Sequence, residues 1–569
     1  MMFRNVLKLS TLCFLATLAS SAQALPGFFA TRGGEATSST THVVLMMNDS
    51  ETVVSVATDY KGPNERFAFV LPVPDDVSLK EVVTLKRHSV ERLDELTAPR
   101  FHEFWEMDPC DHENKLQQLW ERDLTASESS DFLGMGGDDM FKNTTKAPKE
   151  MRTKVDADFR DEGSEFKFTL VSSDVLAWLK GKGYSAPANV DVSKYTGMTF
   201  LVAETDPQKA ELGGKGEALL SAIRYNTKKP VKLASTIGLA NLDKMHELNV
   251  YTLHPSKRFE TANYPTVFPP TNIQVDFSAK ERVGELYAGI HDLLLAKDPK
   301  AFLAEYAWST EGCGEPCVNA PLRLDELLTL GADVFEKSVP DDQRNPAPPA
   351  RSEEEEKAYK KAKKAERKEM DNLAKEVARR KALMERHKSY VLSRLHHRYD
   401  ASGLPQDIEF KAASPAEGGV ALPQGEKGDM PTDVKVGAAS NRLQTRFVHL
   451  HPDKAVIKCD APIRYRWGKP PLSYRGARKI WTAQQLASRD RTRFKPSELV
   501  LSAYPALGLA GKLSGDAKPV AEGAPASEAT EEKAEKKGGC SVALGSTTGN
   551  AGWLALTLAL GLAWRRRRG

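Results

Sequence analysis

The chain has little of what announces a chemistry. Its 569 residues include six cysteines and twelve histidines, aromatic residues make up 8 %, and neither sign of charge is in large excess. There is no Gly-x-Ser-x-Gly elbow, phosphate-binding loop, dinucleotide fingerprint or EF-hand loop, which removes the usual sequence grounds for a serine hydrolase, a nucleotide enzyme or a calcium sensor. The formal net charge is +3, but Arg4 and Lys8 supply two of the positive charges and Arg565 to Arg568 four, so residues 25–539 carry −3. A basic footprint for nucleic acid is therefore missing, and no cofactor is expected.

Long hydrophobic runs are confined to the two ends. Arg4 and Lys8 flank the apolar stretch Leu9 to Ala19, followed by small residues and Ala22-Gln23-Ala24. This is the pattern of a secretory signal peptide, with cleavage expected between Ala24 and Leu25. The 11 apolar residues are too few to span a bilayer, which takes about 20. Cys13 lies inside the stretch, away from the cut, so N-terminal lipidation is not expected.

At the other end, Gly538-Gly539-Cys540 leads through small and polar residues to Ala551–Trp564 and then Arg565, Arg566, Arg567 and Arg568. Arginines after an apolar stretch hold that end on the cytoplasmic side. The 14 apolar residues make a helix of about 21 Å, against a hydrocarbon core of about 30 Å, so a transient signal fits better than a lasting anchor. The order Gly-Cys, apolar segment, arginine cluster resembles the MYXO-CTERM sorting tail of myxobacterial surface proteins. That resemblance implies processing and surface attachment at Cys540, with the membrane and a sorting protease or acylation machinery as partners. The expected location is the cell envelope.

Export places the remaining cysteines, Cys110, Cys313, Cys317 and Cys459, in an oxidising compartment, where an even number implies two disulfides. Three pairings are open. Cys313 and Cys317 have three residues between them, one more than a thioredoxin-like pair, so a structural bridge is preferred to a redox or zinc role.

The body reads as α+β and β-rich. His42–Met47 and Thr52–Thr58 form a hairpin around Asn48-Asp49-Ser50, and a third strand, Arg66–Val73, is ended by Pro72 and Pro74. Val90–Glu106 has helical spacing broken at Pro99; further strands are expected at Glu165–Val171, Met198–Ala203, Leu248–Leu253, Thr445–His451 and Ala461–Trp467. Helices are expected at Asp174–Lys182, Lys280–Leu295, Pro299–Trp308 and Arg323–Phe335. Irregular mixing of the two argues against a doubly wound sheet. Ser352–Arg398, rich in Glu, Lys, Arg and Ala and without Pro or Gly, is expected as one long helix. Its heptad seam is only half apolar, with Arg380, His387 and Arg394 among the core positions, which argues against dimerisation. The resulting organisation is signal 1–24, mixed body 25–340, charged helix 352–398, C-terminal part of the body 399–510, low-complexity spacer 511–539 and tail 540–569.

Tyr60-Lys61-Gly62-Pro63, Phe67 to Pro74, Ala98-Pro99-Arg100, Trp105 to Cys110, Ala177 to Lys180, Gly197 to Ala203, Leu392 to Asp400 and Lys458 to Pro462 are similar to the pattern of the bacterial family called domain of unknown function 2330. The resemblance runs from about Phe28 to about Pro471. It implies the extent of a folded body and no activity, because that family has no assigned chemistry. Family members tend to carry a Cys beside the first Gly-Phe pair; here Pro26 stands there, so no thiol role carries over.

One stretch invites an enzymatic reading. On a helix, His102-Glu103-Phe104-Trp105-Glu106 would place His102 and Glu106 one turn apart with Glu103 beside them, as in zinc peptidases. The second ligand is Glu where those enzymes have His, and the aromatic flanks suit a packed face, so no metal site is assigned. His449 and His451 share one face of a probable strand without visible partners. The expectation is an exported, envelope-anchored protein acting by binding or scaffolding, its surface ligand unidentified; the alternative is a metal-dependent envelope hydrolase.

Overall fold

The computed structural model describes residues 27–112, 164–212, 216–234, 242–314, 317, 320–399, 404–468, 481–482, 496–501 and 504–509. Ala24, Leu25, the spacer, Cys540 and the four terminal arginines lie outside these residues. No helix among the described residues is long and apolar enough to cross a membrane.

Val43–Met47 is an unbroken apolar run, the pattern of a strand covered on both faces, and it lies in β1 (Ser38–Met47). The Asn48 side chain accepts the amides of Ser50 and Glu51 at 2.9 and 2.8 Å, closing a turn into β2 (Thr52–Lys61), which pairs antiparallel with β1. The expected hairpin is present. The third strand, β3 (Phe67–Val73), passes through Pro72 and joins a different sheet, in the order Phe28–Thr31, β3, Thr199–Thr205, Phe166–Val171. The helical spacing after Val90 belongs to α1 (Arg87–Thr97), but beyond Pro99 the chain becomes strand β4 (Arg100–Glu106). The expected helices at Asp174–Lys182 and Lys280–Leu295 are present as Val175–Gly181 and, farther on, α2 (Val283–Lys297).

Two helix expectations are overturned. Pro299–Trp308 is not helical: Phe302–Ser309 is a strand, here β6, following β5 (Leu242–His254) in chain order. The charged helix 352–398 is three elements: Glu353–Lys361, α3 (Lys364–Arg386) and the strand β7 (Val391–Tyr399). Ser352 opens the first with a capping box, its amide donating to Glu355 at 2.7 Å. Ala378 and Leu383, in the C-terminal half of α3, are its buried residues, whereas Leu373, Val377 and Met384 are exposed. Near the C-terminus, Thr445–His451 is confirmed as β8 (Arg446–His451), but in Ala461–Trp467 only Trp467 enters a strand, Trp467–Gly468.

The central sheet runs β6, β7, β5, β1, β2, Ala222–Thr227; β5 and β1 are parallel and the other neighbours in this run antiparallel. One of its faces buries Val43, Leu45, Val54, Leu248 and Val250 with Phe69, Leu71 and Leu201 of the four-stranded sheet. The other buries Val44, Met46, Val53 and Leu253 with Val90, Leu93 and Leu96 of α1. Each such side chain contributes about 1.5–3 kcal/mol when withdrawn from water. Gly331 sits in a kinked helical segment on this second face with φ of +143°, where an added Cβ would lie 2.7 Å from Val53, so nothing larger fits.

A clasp joins β4 to the C-terminal segment. Cys110 and Cys459 stand 5.6 Å apart at Cα, as do Cys313 and Cys317, which settles the pairing that the sequence left open. Beside the first pair, Glu106 accepts Arg464 Nε at 2.7 Å and the amides of Tyr465 and Asp453 at 2.8 and 2.9 Å. Burial pushes the Glu106 carboxyl upward, but Arg464 and the two amides hold it below the usual carboxylate range.

Two outcomes follow for the clasp. Thiol labelling of denatured, unreduced protein should find none of the four body cysteines free, and Cys459→Ser should lower urea stability by about 2–4 kcal/mol; free thiols or an unchanged midpoint would contradict the bridge. Because the folded-state pKa of Glu106 is depressed, its contribution is complete above the unfolded value of about 4.3 and is lost as pH falls through the folded value. Glu106→Gln should therefore flatten the acid limb of the stability profile, and identical limbs for both proteins would remove that role.

Candidate functional site

His102, Glu103 and Glu106 do not form a metal site. They lie on strand β4, where side chains alternate, so Glu103 faces away from the other two. The Glu103 carboxylate accepts Lys280 Nζ at 2.7 Å and His451 Nε2 at 3.0 Å, while Glu106 is held in the clasp. The His102 ring stacks on Phe104, with centroids 4.2 Å apart. His449 Nδ1 lies 2.8 Å from the Val275 carbonyl, and the His451 ring stacks on Trp105. Helical spacing suggested convergence; the actual strand disperses these groups.

The convergence is instead at the middle of the central sheet, in part on strands β6 and β7, which the sequence reading assigned to helices. The register places Tyr251 opposite Arg394, Asn249 opposite His396 and Glu247 opposite Arg398, so all six share one face of β5 and β7. On the next strand, His42 is opposite Asn249 and extends the polar stripe. On the other side, β6 pairs with β7 through Leu303–His396 and Ala304–Leu395, and then Tyr306 meets Arg394, which leaves Glu305 as an extra residue in a bulge. A bulge of this kind re-aims a side chain. Here Glu305 turns toward the polar stripe, where its carboxylate meets both Arg394 and His396.

Two helices close the stripe. From α1, Asp94 pairs with Arg394 and accepts the Tyr251 hydroxyl at 3.1 Å. That hydroxyl has one proton to give, so it accepts from His42 Nδ1, 3.0 Å away. From α2, Tyr287 and His291, one turn apart, lie over the stripe: the Tyr287 hydroxyl bonds Glu305 and His396, and the His291 ring centroid is 4.4 Å from that of His396. Arg394 Nε is 2.7 Å from Glu305, and its remaining nitrogen donates to Asn249 at 2.7 Å. His396 lies between two carboxylates, with Nδ1 3.1 Å from Glu305 and Nε2 2.7 Å from Glu247. Arg398 pairs with Glu247 at 3.2 Å and with Asp292 of α2 at 2.7 Å.

The protonation states follow these contacts. Burial pushes the Asp94 carboxyl upward, but Arg394 holds it below the usual range. Burial pushes His396 down, and the carboxylates of Glu305 and Glu247 overcome this and raise it. His397, pointing to the opposite face with Nδ1 2.8 Å from the Ala301 carbonyl, is pushed by burial down to about 4. Burial also lowers His42. Adjacent histidines on one strand thus occupy opposite electrostatic environments. Among the described residues, one set of His, Cys, Asp or Glu side chains brings its ligand atoms within 4.8 Å of one another: His291, Glu305 and His396.

The cluster separates two kinds of ion pair by measurement. Arg394→Met leaves Asp94 and Glu305 buried without their cation, which should cost about 3–5 kcal/mol in urea unfolding. Arg442→Ala, which removes the exposed pair with Glu417, should cost no more than about 1 kcal/mol. Equal losses from the two substitutions would show that the buried network does not bear on stability.

A family model described as an uncharacterized protein conserved in bacteria matches residues 20–411. The match takes in every member of the central cluster and stops short of Lys458 to Pro462, which the sequence resemblance had included. No curated protein and no solved structure matches. Spanning well over half of the chain, the match shows that this protein belongs to the DUF2330 family of uncharacterised bacterial proteins.

Proposed function

We propose that the protein is an exported, envelope-anchored body that acts by binding or scaffolding at the cell surface rather than by catalysis. The observation that carries this reading is how the acid and base groups of the interior are used. Asp94, Glu247, Glu305, Arg394 and His396 all have less than a tenth of their surface exposed and are paired with one another. A hydrolase needs such groups on the wall of a cleft that substrate can enter. Buried and mutually neutralised, they serve the rigidity of a sheet. The two bridges, Cys110–Cys459 and Cys313–Cys317, suit a chain that works in an oxidising compartment.

The ends supply the address. Ala22-Gln23-Ala24 offers a signal-peptidase site, and Gly538-Gly539-Cys540 before a short apolar segment and Arg565 to Arg568 offers a sorting signal. A lipid attached at Cys540 adds roughly 0.8 kcal/mol of membrane affinity per buried methylene, which gives stable anchoring when combined with a second contact.

Fractionation of cells expressing the full chain tests the address. The mature N-terminus should be Leu25, and Cys540→Ala should leave export intact while abolishing surface attachment. A Cys540→Ala protein at the same location with an unchanged C-terminal mass would replace the sorting signal with a plain membrane anchor.

A further inference from the structure

At one end of the polar stripe the carboxylates outnumber the guanidiniums. Three fully enclosed carboxylates, Asp94, Glu247 and Glu305, face the guanidiniums of Arg394 and Arg398, and Arg398 is shared with Asp292. The excess lies where Glu305 and Glu247 flank His396, and at that point a second imidazole, His291, comes in from α2. The third positive charge, carried by His396 when it is protonated, can equally be supplied by a bound cation that displaces that proton.

We propose that His291, Glu305 and His396 hold one divalent transition-metal ion of the zinc class, in a structural role. Two imidazoles and a carboxylate are a zinc-type donor set, whereas calcium and magnesium take oxygen donors throughout. The spacing is near that of ligands sharing an ion. Donors about 2.0–2.1 Å from a tetrahedral zinc lie about 3.4 Å from one another; Glu305 and His396 Nδ1 are 3.1 Å apart, and the Tyr287 hydroxyl, bonded to both, is placed to serve as the fourth donor. The His291 donor atom lies within 4.8 Å of the other two.

The surroundings are also those of a metal-bound histidine. A coordinating imidazole characteristically gives its other N–H to a carboxylate, which fixes the ring and raises its donor strength. His396 Nε2 makes that contact with Glu247 at 2.7 Å, and Arg398 anchors Glu247 in turn. The bulge in β6 brings Glu305 to the same point. His291, Glu305 and His396 are 1 %, 0 % and 4 % exposed, so the ion enters as α2 closes over the sheet and leaves only when it lifts. This closed setting makes the ion part of the fold and agrees with a non-catalytic body, but the site stands on its own geometry and does not need the envelope reading.

The test uses full-chain protein unfolded and refolded either with zinc or with a chelator. After gel filtration, wild-type protein refolded with zinc should retain about one equivalent by elemental analysis, should resist later stripping by chelator in its native state, and should melt above the chelator-refolded sample. His291→Gln should lower zinc affinity at least tenfold. Glu103→Gln, which disrupts the separate group with Lys280 and His451, should keep the full equivalent. Wild-type protein without retained zinc, an equivalent unchanged in His291→Gln, or one lost in Glu103→Gln would each overturn the site. Should His291→Gln fail to fold, cobalt(II) in the wild type decides: visible d–d bands without a thiolate charge-transfer band support the assignment, and their absence refutes it.

Discussion

Arg394 is a permanent cation with 4 % of its surface exposed, placed in the middle of the central sheet, and the fold depends on what meets it there. An isolated charge in such a place would cost several kcal/mol even after relaxation. Asp94 from α1, Glu305 from β6 and Asn249 from β5 supply its partners, so one guanidinium specifies the position of a helix and two neighbouring strands at once. Apolar packing alone tolerates sliding by a residue pair along a strand; a single cation with partners on three elements does not. The surrounding clusters of Val, Leu and Phe provide the larger share of stability, while the ion network ties that packing to one register.

This arrangement also decides what could be read from the sequence. The hairpin β1–β2 was legible because its strands are apolar on both faces and the Asn48 turn punctuates them. The strands β6 and β7 were not, because Glu305 interrupts an apolar run in β6, and in β7 Ser393 and His397 put polar residues on the face opposite Arg394, His396 and Arg398, blurring the alternation that marks a half-buried strand. Adjoining a long run of Glu, Lys and Ala, β7 read as its continuation. The residues that mislead are the functional candidates themselves. A signal was nevertheless available: Tyr390, Val391 and Tyr399 are strand formers, and Leu392 to Asp400 was one of the segments similar to the family pattern. The reverse error occurred at His102 to Glu106, where helical spacing assembled a site that a strand takes apart. The cysteine count foretold two bridges, yet the choice of partners required the fold.

Membership of the family and the central cluster bear on each other. The matched stretch contains the hairpin, the bulged strand β6 and the whole of β7, whereas the clasp around Cys459 lies beyond it. The buried network thus lies within the part of the chain that the family model matches, and the clasp fastens a segment beyond that stretch to β4.

Strand order in the central sheet has a further consequence, for the order of events as the chain folds. β1 is flanked by β5, and β5 by β7; His42 and Tyr251, which touch, are 209 residues apart in sequence. Contacts of such high separation make folding slow and hold back the reward for early pairing. A chain emerging N-terminus first can form the β1–β2 hairpin at once, but the outer edge of β1 stays open until β5 arrives, and β5 stays open until β7 does. During that interval the molecule displays an apolar strand edge, Val43 to Met47, of the kind that pairs with other chains. Vectorial delivery therefore sets a vulnerable period, one that ends when β7 brings Arg394 to its carboxylates.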